Sequence, residues 1–425
     1  MNPNPGKYRI GVADSRNSHF YFRGVCEQLD VILVDDVTAA QLESGLELDL
    51  CIVTGEYWPE QIFLLSAAKS RGIPTLHIMD GVLEWRNTWE HPQLISPFLQ
   101  PVMADKVACL GRSQARILES WGNYSKCEVV GSPRLDPLLD YRRSAGPVRD
   151  YALLVASAKT PWFNSTQKSR VVQGLIDLQK GIAESAKTNG TYTRIIWRLQ
   201  DELFDELFEQ GSATNHAGDK LADLLHQADA LITTPSTVML EGMLCGIPVA
   251  VIDYTNSPQY VQSAWSITAS EHISQVLTEL RMPPQSKLVL QDYYLHDALE
   301  CYSPAGPRLA RLIEEMLRIK SAGIAMKKKL GFPLNILEQT RGSHHLPEAR
   351  FDLAKLYPHH PVYSDYDKSS LQAELLHCRK KLENLSEEIS LLKRDGNFTL
   401  ANYLTRHFRW LGKVRKIIRR WKGKI

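Results

Sequence analysis

Hydroxyls, three acids and two glycines lie along the string HQADALITTPSTVMLEGMLCGIPVAVIDY, His226 to Tyr254. Ala230-Leu231-Ile232-Thr233 is a short apolar run of the kind that forms a parallel strand buried on both faces. It ends at Thr234-Pro235-Ser236-Thr237, residue types favoured where a helix begins, and the free N–H groups of a first helical turn bind anions such as phosphate or carboxylate. Ser236 and Thr237 are therefore expected to hold an anion. Glu241 lies about one turn further on, where a carboxylate accepts hydrogen bonds from ribose hydroxyls, and Gly242 and Gly246 leave room for close packing. The alternative is structural, since any doubly wound domain has a Ser/Thr-capped helix after a strand.

A second polar stretch, DGVLEWRNTWEHP from Asp80 to Pro92, follows the apolar run Thr75-Leu76-His77-Ile78. It thus lies at the carboxyl end of a strand, where open parallel sheets place their ligands. Trp85, Arg86, Trp89 and His91 suit an acceptor sugar, whose ring stacks on aromatic faces, while Asp80 or Glu84 is the expected general base. A packed surface loop anchored by Trp85 and Trp89 is the competing reading. Two cations end strands elsewhere: Lys159 after 152–156, and Arg198 after Ile195-Ile196-Trp197. They would neutralise a phosphate and a carboxylate, and the fork of Arg198 suits a carboxylate.

The elements that must position these groups alternate along the chain. Apolar runs at 8–12, 31–34, 50–53, 75–78, 107–110 and 128–130 are separated by helical segments, and after a polar stretch near 140–150 the pattern restarts at 151–155, 194–197, 231–232 and 249–252. Alternation of this kind predicts an α/β chain of two Rossmann-like domains with parallel sheets facing a cleft. The expected bounds are 1–140 for the first domain and 141–325 for the second with its crossing helices. Beyond lie a linker or brace rich in His, Pro and Tyr at 326–368, a coiled coil at 369–394 and a basic amphipathic helix at 398–425.

Several short strings carry a family resemblance. The strand, Ser/Thr turn, Glu-bearing helix and Gly246-Ile247-Pro248-Val249 strand resemble the donor-binding segment of GT-B glycosyltransferases. Gly131-Ser132-Pro133-Arg134-Leu135-Asp136 resembles the string that marks the crossing into the donor domain in many of them. Ser236-Thr237 is similar to the Ser/Thr pair around CMP in bacterial sialyltransferases and β-Kdo transferases. His91-Pro92 is a weaker match to their His-Pro pair, which belongs to the donor domain there. Gln227-Ala228-Asp229 resembles the Gln-x-Asp motif of β-Kdo transferases, which implies that Asp229 is the nucleophile of a retaining double displacement. An acid between a helix and a strand is also ordinary in Rossmann domains. The resemblance, over about residues 5–325, implies a GT-B enzyme transferring Kdo from CMP-Kdo to a bacterial surface polysaccharide or glycolipid. CMP carries one phosphate, so no metal or other cofactor need assist its departure. Arg308, at a predicted helix start, would reach the donor anion or else lie at the surface. Two readings compete: a CDP-polyol phosphotransferase of the teichoic-acid type, although Thr234-Pro235-Ser236-Thr237 lacks the acid and tyrosine of its usual turn, and a non-catalytic membrane-assembly scaffold.

Composition sets the remaining bounds. The 425 residues are 44% hydrophobic and 23% charged, an ordinary globular balance. Seven scattered cysteines without CxxC spacing argue against a disulfide framework or structural zinc and read as core thiols. Residues 401–425 hold nine Lys/Arg and no acid, leaving 41 basic against 48 acidic groups elsewhere, so the body is not expected to bind nucleic acid. Leu371, Leu375, Cys378, Leu382, Leu385, Ile389 and Leu392 alternate gaps of four and three, which predicts a short coiled coil and a homo-oligomer. The basic stripe that follows, with Trp410 and Trp421, predicts a helix on an anionic membrane surface, or a dock for an acidic partner or RNA. With no apolar run near the ~20 residues of a membrane span and a polar start unlike a signal peptide, the expected place is cytoplasmic, peripheral on the inner membrane.

Overall fold

The computed structural model describes residues 7–14, 25, 28–56, 58–91, 99–141, 151–189, 193–326, 331–337 and five residues between 380 and 386. The coiled-coil stripe and the basic helix therefore lie wholly outside the described residues, as does nearly all of the linker. Residues 1–351 form one compact unit and 352–425 another. The first unit contains both predicted sheets.

The first sheet has six strands in the order β2-β1-β3-β4-β5-β6: β1 Tyr8–Val12, β2 Val31–Val34, β3 Leu50–Val53, β4 Thr75–Ile78, β5 Lys106–Cys109 and β6 Cys127–Val129. The second has five in the order β11-β10-β9-β7-β8: β7 Tyr151–Ala156, β8 Thr193–Arg198, β9 Ala230–Thr233, β10 Val249–Ile252 and β11 Trp265–Ile267. All neighbours pair in parallel. Every residue of β3, β4, β5, β9 and β10 is buried, which is why these strands read as continuous apolar runs. The predicted two-sheet α/β architecture is thus the observed one; β11, three residues long, is the strand the pattern did not announce.

Long parallel connections need helices, and four of them matter to the site: α1 Val238–Leu244 after β9, α2 Glu271–Arg281, α3 Gln285–Ala298, and α4 Ala305–Ala325. Leu309, Leu312, Ile313, Met316 and Leu317 of α4 pack with Ile10, Ile52, Leu76 and Ile78 of the first sheet. The last helix of the second half therefore returns to the first half. Behind it, the Nζ of fully buried Lys106 donates to Glu128 at 2.7 Å and to the carbonyl of Pro333 at 2.7 Å. Glu128 in turn accepts from the N–H groups of Ile336 and Leu337, so an ion pair on the edge of the first sheet fastens the segment 331–337. The cysteines at 51, 109, 127, 245 and 301 are buried free thiols, as expected of core residues.

Candidate active site between the two sheets

The carboxyl ends of the two sheets face each other, and the loops leaving them touch. Thr237 does not cap its own helix; its Oγ1 instead accepts from the N–H of Val82, from the other half of the unit, at 3.1 Å. Gly81 is required there, because a Cβ would stand 2.4 Å from that hydroxyl oxygen. Gln114 holds the same loop from below, taking the Leu110 N–H on its oxygen and giving its amide to the Gly81 carbonyl at 3.0 Å. In the second sheet, buried Thr234 accepts from Ala158 N at 2.7 Å, joining the loops that leave β7 and β9 where the strand order reverses. Such a reversal is where open α/β sheets bind ligands. Helix α1 has only seven residues, so the anion expected at its start must rely on side chains for most of its attraction.

Those side chains are present. Gly131, at φ +91°, turns the chain out of β6 into the 3₁₀ segment Pro133–Leu138, which aims Arg134 at Glu241 with 3.2 Å between them. Burial pushes the Glu241 carboxyl above its ordinary range against the opposing pull of Arg134 and Arg198, so both guanidinium groups stand near it. Each of them carries a buried Nε–H that meets no acceptor among the described residues. Asp80 is reachable by solvent yet crowded by protein atoms; desolvation raises its pKa, opposed by the charges of His77, Arg134 and Lys159. Asp80, Arg134, Lys159, Arg198, Ser236, Thr237 and Glu241 thus belong to one region. Glu241, expected to meet ribose, is ion-paired to Arg134.

On the other side of Asp80 the loop 82–91 builds an aromatic wall. Arg86–Glu90 forms a π-type turn, a distortion often found at functional sites. Arg86, 1% exposed, pairs with Glu84 and donates to the Pro161 carbonyl, so it braces the loop from within. Asn87 also donates to Glu84, at 3.3 Å. Desolvation lifts the Glu84 carboxyl to about 6; Arg86 opposes the rise, and the nearby charges of Asp253 and Glu90 add to it. Trp85 and Trp89 lie 5.6 Å apart by ring centroid, Trp121 stands edge-on to Trp89, and Trp89 Nε1 donates to Tyr260 Oη at 2.7 Å. His91 packs on Phe163 with centroids 4.7 Å apart, and partial burial lowers its pKa. A cleft of ≈ 380 Å³, open to solvent, lies between residues 82–86 of this loop and Pro235, Ser236, Met239, Val251, Asp253 and 257–261.

Two expected ligands lie elsewhere. Asp229 precedes β9 at the sheet end opposite the cleft; its Oδ2 accepts from Ala152 N and its own N–H donates to Ala152 O, both at 2.7 Å. The four residues of β9 separate it from Thr234, five steps along the strand, by about 16 Å. The carboxylate fastens β9 to β7, which corrects its expected role as nucleophile. Arg308 is corrected likewise. Its guanidinium donates to the carbonyls of Val130 at 2.7 Å, Ser303 at 3.0 Å and Glu300 at 2.9 Å, clamping the chain before α4. Asp136 caps the same helix, accepting from Ala305 and Gly306 N–H at 2.7 and 2.9 Å. Sequence reasoning overlooked Asp253, Tyr260 and Trp121, whose only signal was position after a strand or helix.

No protein-family model matches the chain, and no curated protein matches it. Solved structures do match. A putative UDP-N-acetylglucosamine 2-epimerase from Listeria monocytogenes superposes with a TM-score of 0.51 at 14% identity, covering 74% of this chain and 97% of its own. The S. aureus MnaA–UDP co-structure superposes with a TM-score of 0.53 at 14% identity and the same coverage. The fold is therefore the two-sheet GT-B architecture, over the compact part of the chain. No described helix is long and apolar enough to cross a membrane.

Proposed function

We propose that the chain is a nucleotide-sugar-dependent glycosyltransferase whose donor lies in the cleft between the two sheets. The observation that carries this reading is the pair of buried, acceptor-less Nε–H groups of Arg134 and Arg198 beside Glu241. A buried guanidinium donor without a partner costs stability, so the site is built for an anion that supplies the missing oxygens. Lys159 and Arg134 near Asp80 give a second patch of positive potential. A donor that carries a phosphate and a sugar carboxylate fits this run of three cations, in which Arg134 stands near both Asp80 and Glu241, and CMP-Kdo is the donor we favour. Neither patch asks for a metal.

The chemistry follows from Asp80. Crowding by protein atoms favours its neutral form, so it holds a transferred proton more readily than an ordinary aspartate. The acceptor hydroxyl gives its proton to Asp80 as its oxygen bonds the anomeric carbon. The anomeric C–O bond to phosphate breaks, and the nucleotide leaves with the electron pair, its charge held by Arg134, Arg198 and Lys159. Glu84 is the second candidate base. The acceptor, a bacterial surface polysaccharide or glycolipid, lies against Trp85 and Trp89. The basic segment 405–425 would hold the enzyme on an anionic bilayer and the heptad segment would pair copies of it. Deleting 405–425 should abolish binding to anionic vesicles and spare transfer to a soluble acceptor; undiminished vesicle binding refutes that part.

A second reading draws on two fold matches, a putative UDP-N-acetylglucosamine 2-epimerase and a co-structure with UDP: turnover of a UDP-sugar with no acceptor. One experiment separates the readings. Purified protein is given CMP-Kdo, a CDP-polyol or UDP-N-acetylglucosamine, and released nucleotide and sugar isomer are measured beside the binding of CMP and UDP. CMP release that Arg198→Ala reduces at least tenfold supports transfer. Isomerisation without nucleotide release supports the second reading, and absence of binding by both nucleotides refutes both.

A further inference from the structure

The cleft beyond Asp80 contains a group that the donor reading does not use. Asp253 follows β10 and is 4% exposed. Its Oδ1 accepts from the backbone N–H of Thr255 at 3.0 Å and from that residue's hydroxyl, which fixes the carboxylate in place. Its Oδ2 is buried and meets no donor among the described residues, while the residue lines the ≈ 380 Å³ cleft. A buried carboxylate oxygen left unpaired is costly, so the cleft is shaped for an occupant that donates a hydrogen bond there.

The rest of the wall limits what that occupant is. Trp85 and Tyr260, 6.2 Å apart by centroid, face the same space, and the Trp89–Tyr260 hydrogen bond holds the rings in place before anything binds. Val82, Leu83, Met239 and Val251 add apolar surface, and Ser236, Ser257 and Gln259 add neutral polar groups. An anion is disfavoured, because the lining carries two acids, Asp253 and Glu84, and one cation, Arg86, which Glu84 already pairs. A flat apolar group would satisfy the rings and leave Oδ2 unpaired. A sugar ring satisfies both, with a C–H face for the aromatics and hydroxyls for the carboxylate.

We infer that this cleft is a pyranose subsite for the acceptor, in which Asp253, from the half of the molecule that holds the donor, accepts a hydrogen bond from one ring hydroxyl and so selects acceptors that carry it. The inference rests on the glycosyltransferase reading for the word acceptor. Its geometry stands apart from the nucleotide-binding cations, and the two can therefore fail separately.

The test uses the full chain and a panel of methyl pyranosides of glucose, galactose, mannose, N-acetylglucosamine, rhamnose and Kdo, titrated against tryptophan fluorescence, with CMP and UDP binding measured on the same samples. At least one glycoside should perturb the fluorescence saturably. Asp253→Asn keeps Oδ1 for Thr255 and should weaken that glycoside at least tenfold, with nucleotide binding and melting temperature unchanged. In the wild type, one monodeoxy analogue should bind at least tenfold less tightly than its parent, and Asp253→Asn should erase that difference. If no glycoside binds while CMP or UDP does, the subsite is refuted and the donor reading survives. If Asp253→Asn binds glycosides as the wild type does, Oδ2 holds only water and the assignment is overturned. Loss of nucleotide binding in the wild type would instead sink the donor reading.

Discussion

Glu84→Gln tests the electrostatics of the cleft. The Glu84 carboxyl titrates near 6 in place of the ordinary 4.5, chiefly because burial withdraws it from water. Its side chain is 12% exposed, so solvent screens little of the effect. At about 1.4 kcal/mol per unit, a rise of that size makes ionised Glu84 destabilising by about 2 kcal/mol relative to the neutral form. The sign follows from where the proton is held. The folded state binds it more tightly than the unfolded chain, so the Glu84 contribution is fully present below the unfolded value of 4.5 and is lost as pH rises through the folded value of about 6. Glutamine mimics the neutral acid and still offers Arg86 an oxygen. The stability of the wild type minus that of Glu84→Gln should therefore fall by about 2 kcal/mol between about pH 4 and about pH 7, then level off. Urea unfolding of both proteins across that range measures it, and other carboxylates cancel in the difference. A flat difference would mean that Glu84 is not buried beside Asp253 as described, and the cleft geometry would fall with it.

Three further perturbations separate site from scaffold. Gly81→Ala places a Cβ against the Thr237 hydroxyl and should cost about 1–3 kcal/mol and most of the activity; the double variant with Thr237→Ala, which removes that oxygen, should be more stable than Gly81→Ala alone, and equal stability would refute the contact. Asp136→Ala removes two N–H acceptors at the start of α4 and should lower stability by about 1–2 kcal/mol by thermal unfolding while CMP affinity stays as in the wild type, since Asp136 is a cap and not a donor ligand. Lys106→Met strands Glu128 in the core and should cost about 3–5 kcal/mol, with faster hydrogen exchange at Ile336 and Leu337. Unchanged protection there would show that the ion pair does not hold the strap.

What could be read without coordinates was whatever depends on neighbours along the chain. Parallel strands buried on both faces must be runs such as Leu50-Cys51-Ile52-Val53 and Val249-Ala250-Val251-Ile252, so ten of the eleven strands among the described residues and their division into two sheets were legible. Trp265-Ser266-Ile267 was not, because three residues carry too little periodicity. The cleft position of Asp80, Ser236 and Thr237 followed from their place just after strand ends. Roles set by partners distant in sequence did not. Asp229 and Asp253 are both acids at the border of a strand. One faces the Ala152 amide at the closed end of its sheet, 77 residues away in sequence, and the other leaves an oxygen unpaired at the open end. Arg134 and Arg308 are likewise both arginines in Pro-rich turns; the first has a buried donor without an acceptor, while the second spends its donors on the carbonyls of Val130, Ser303 and Glu300. A side chain's type limits what it can donate or accept. Whether a partner is already there depends on burial and on which end of a sheet it occupies, and only the folded chain decides that.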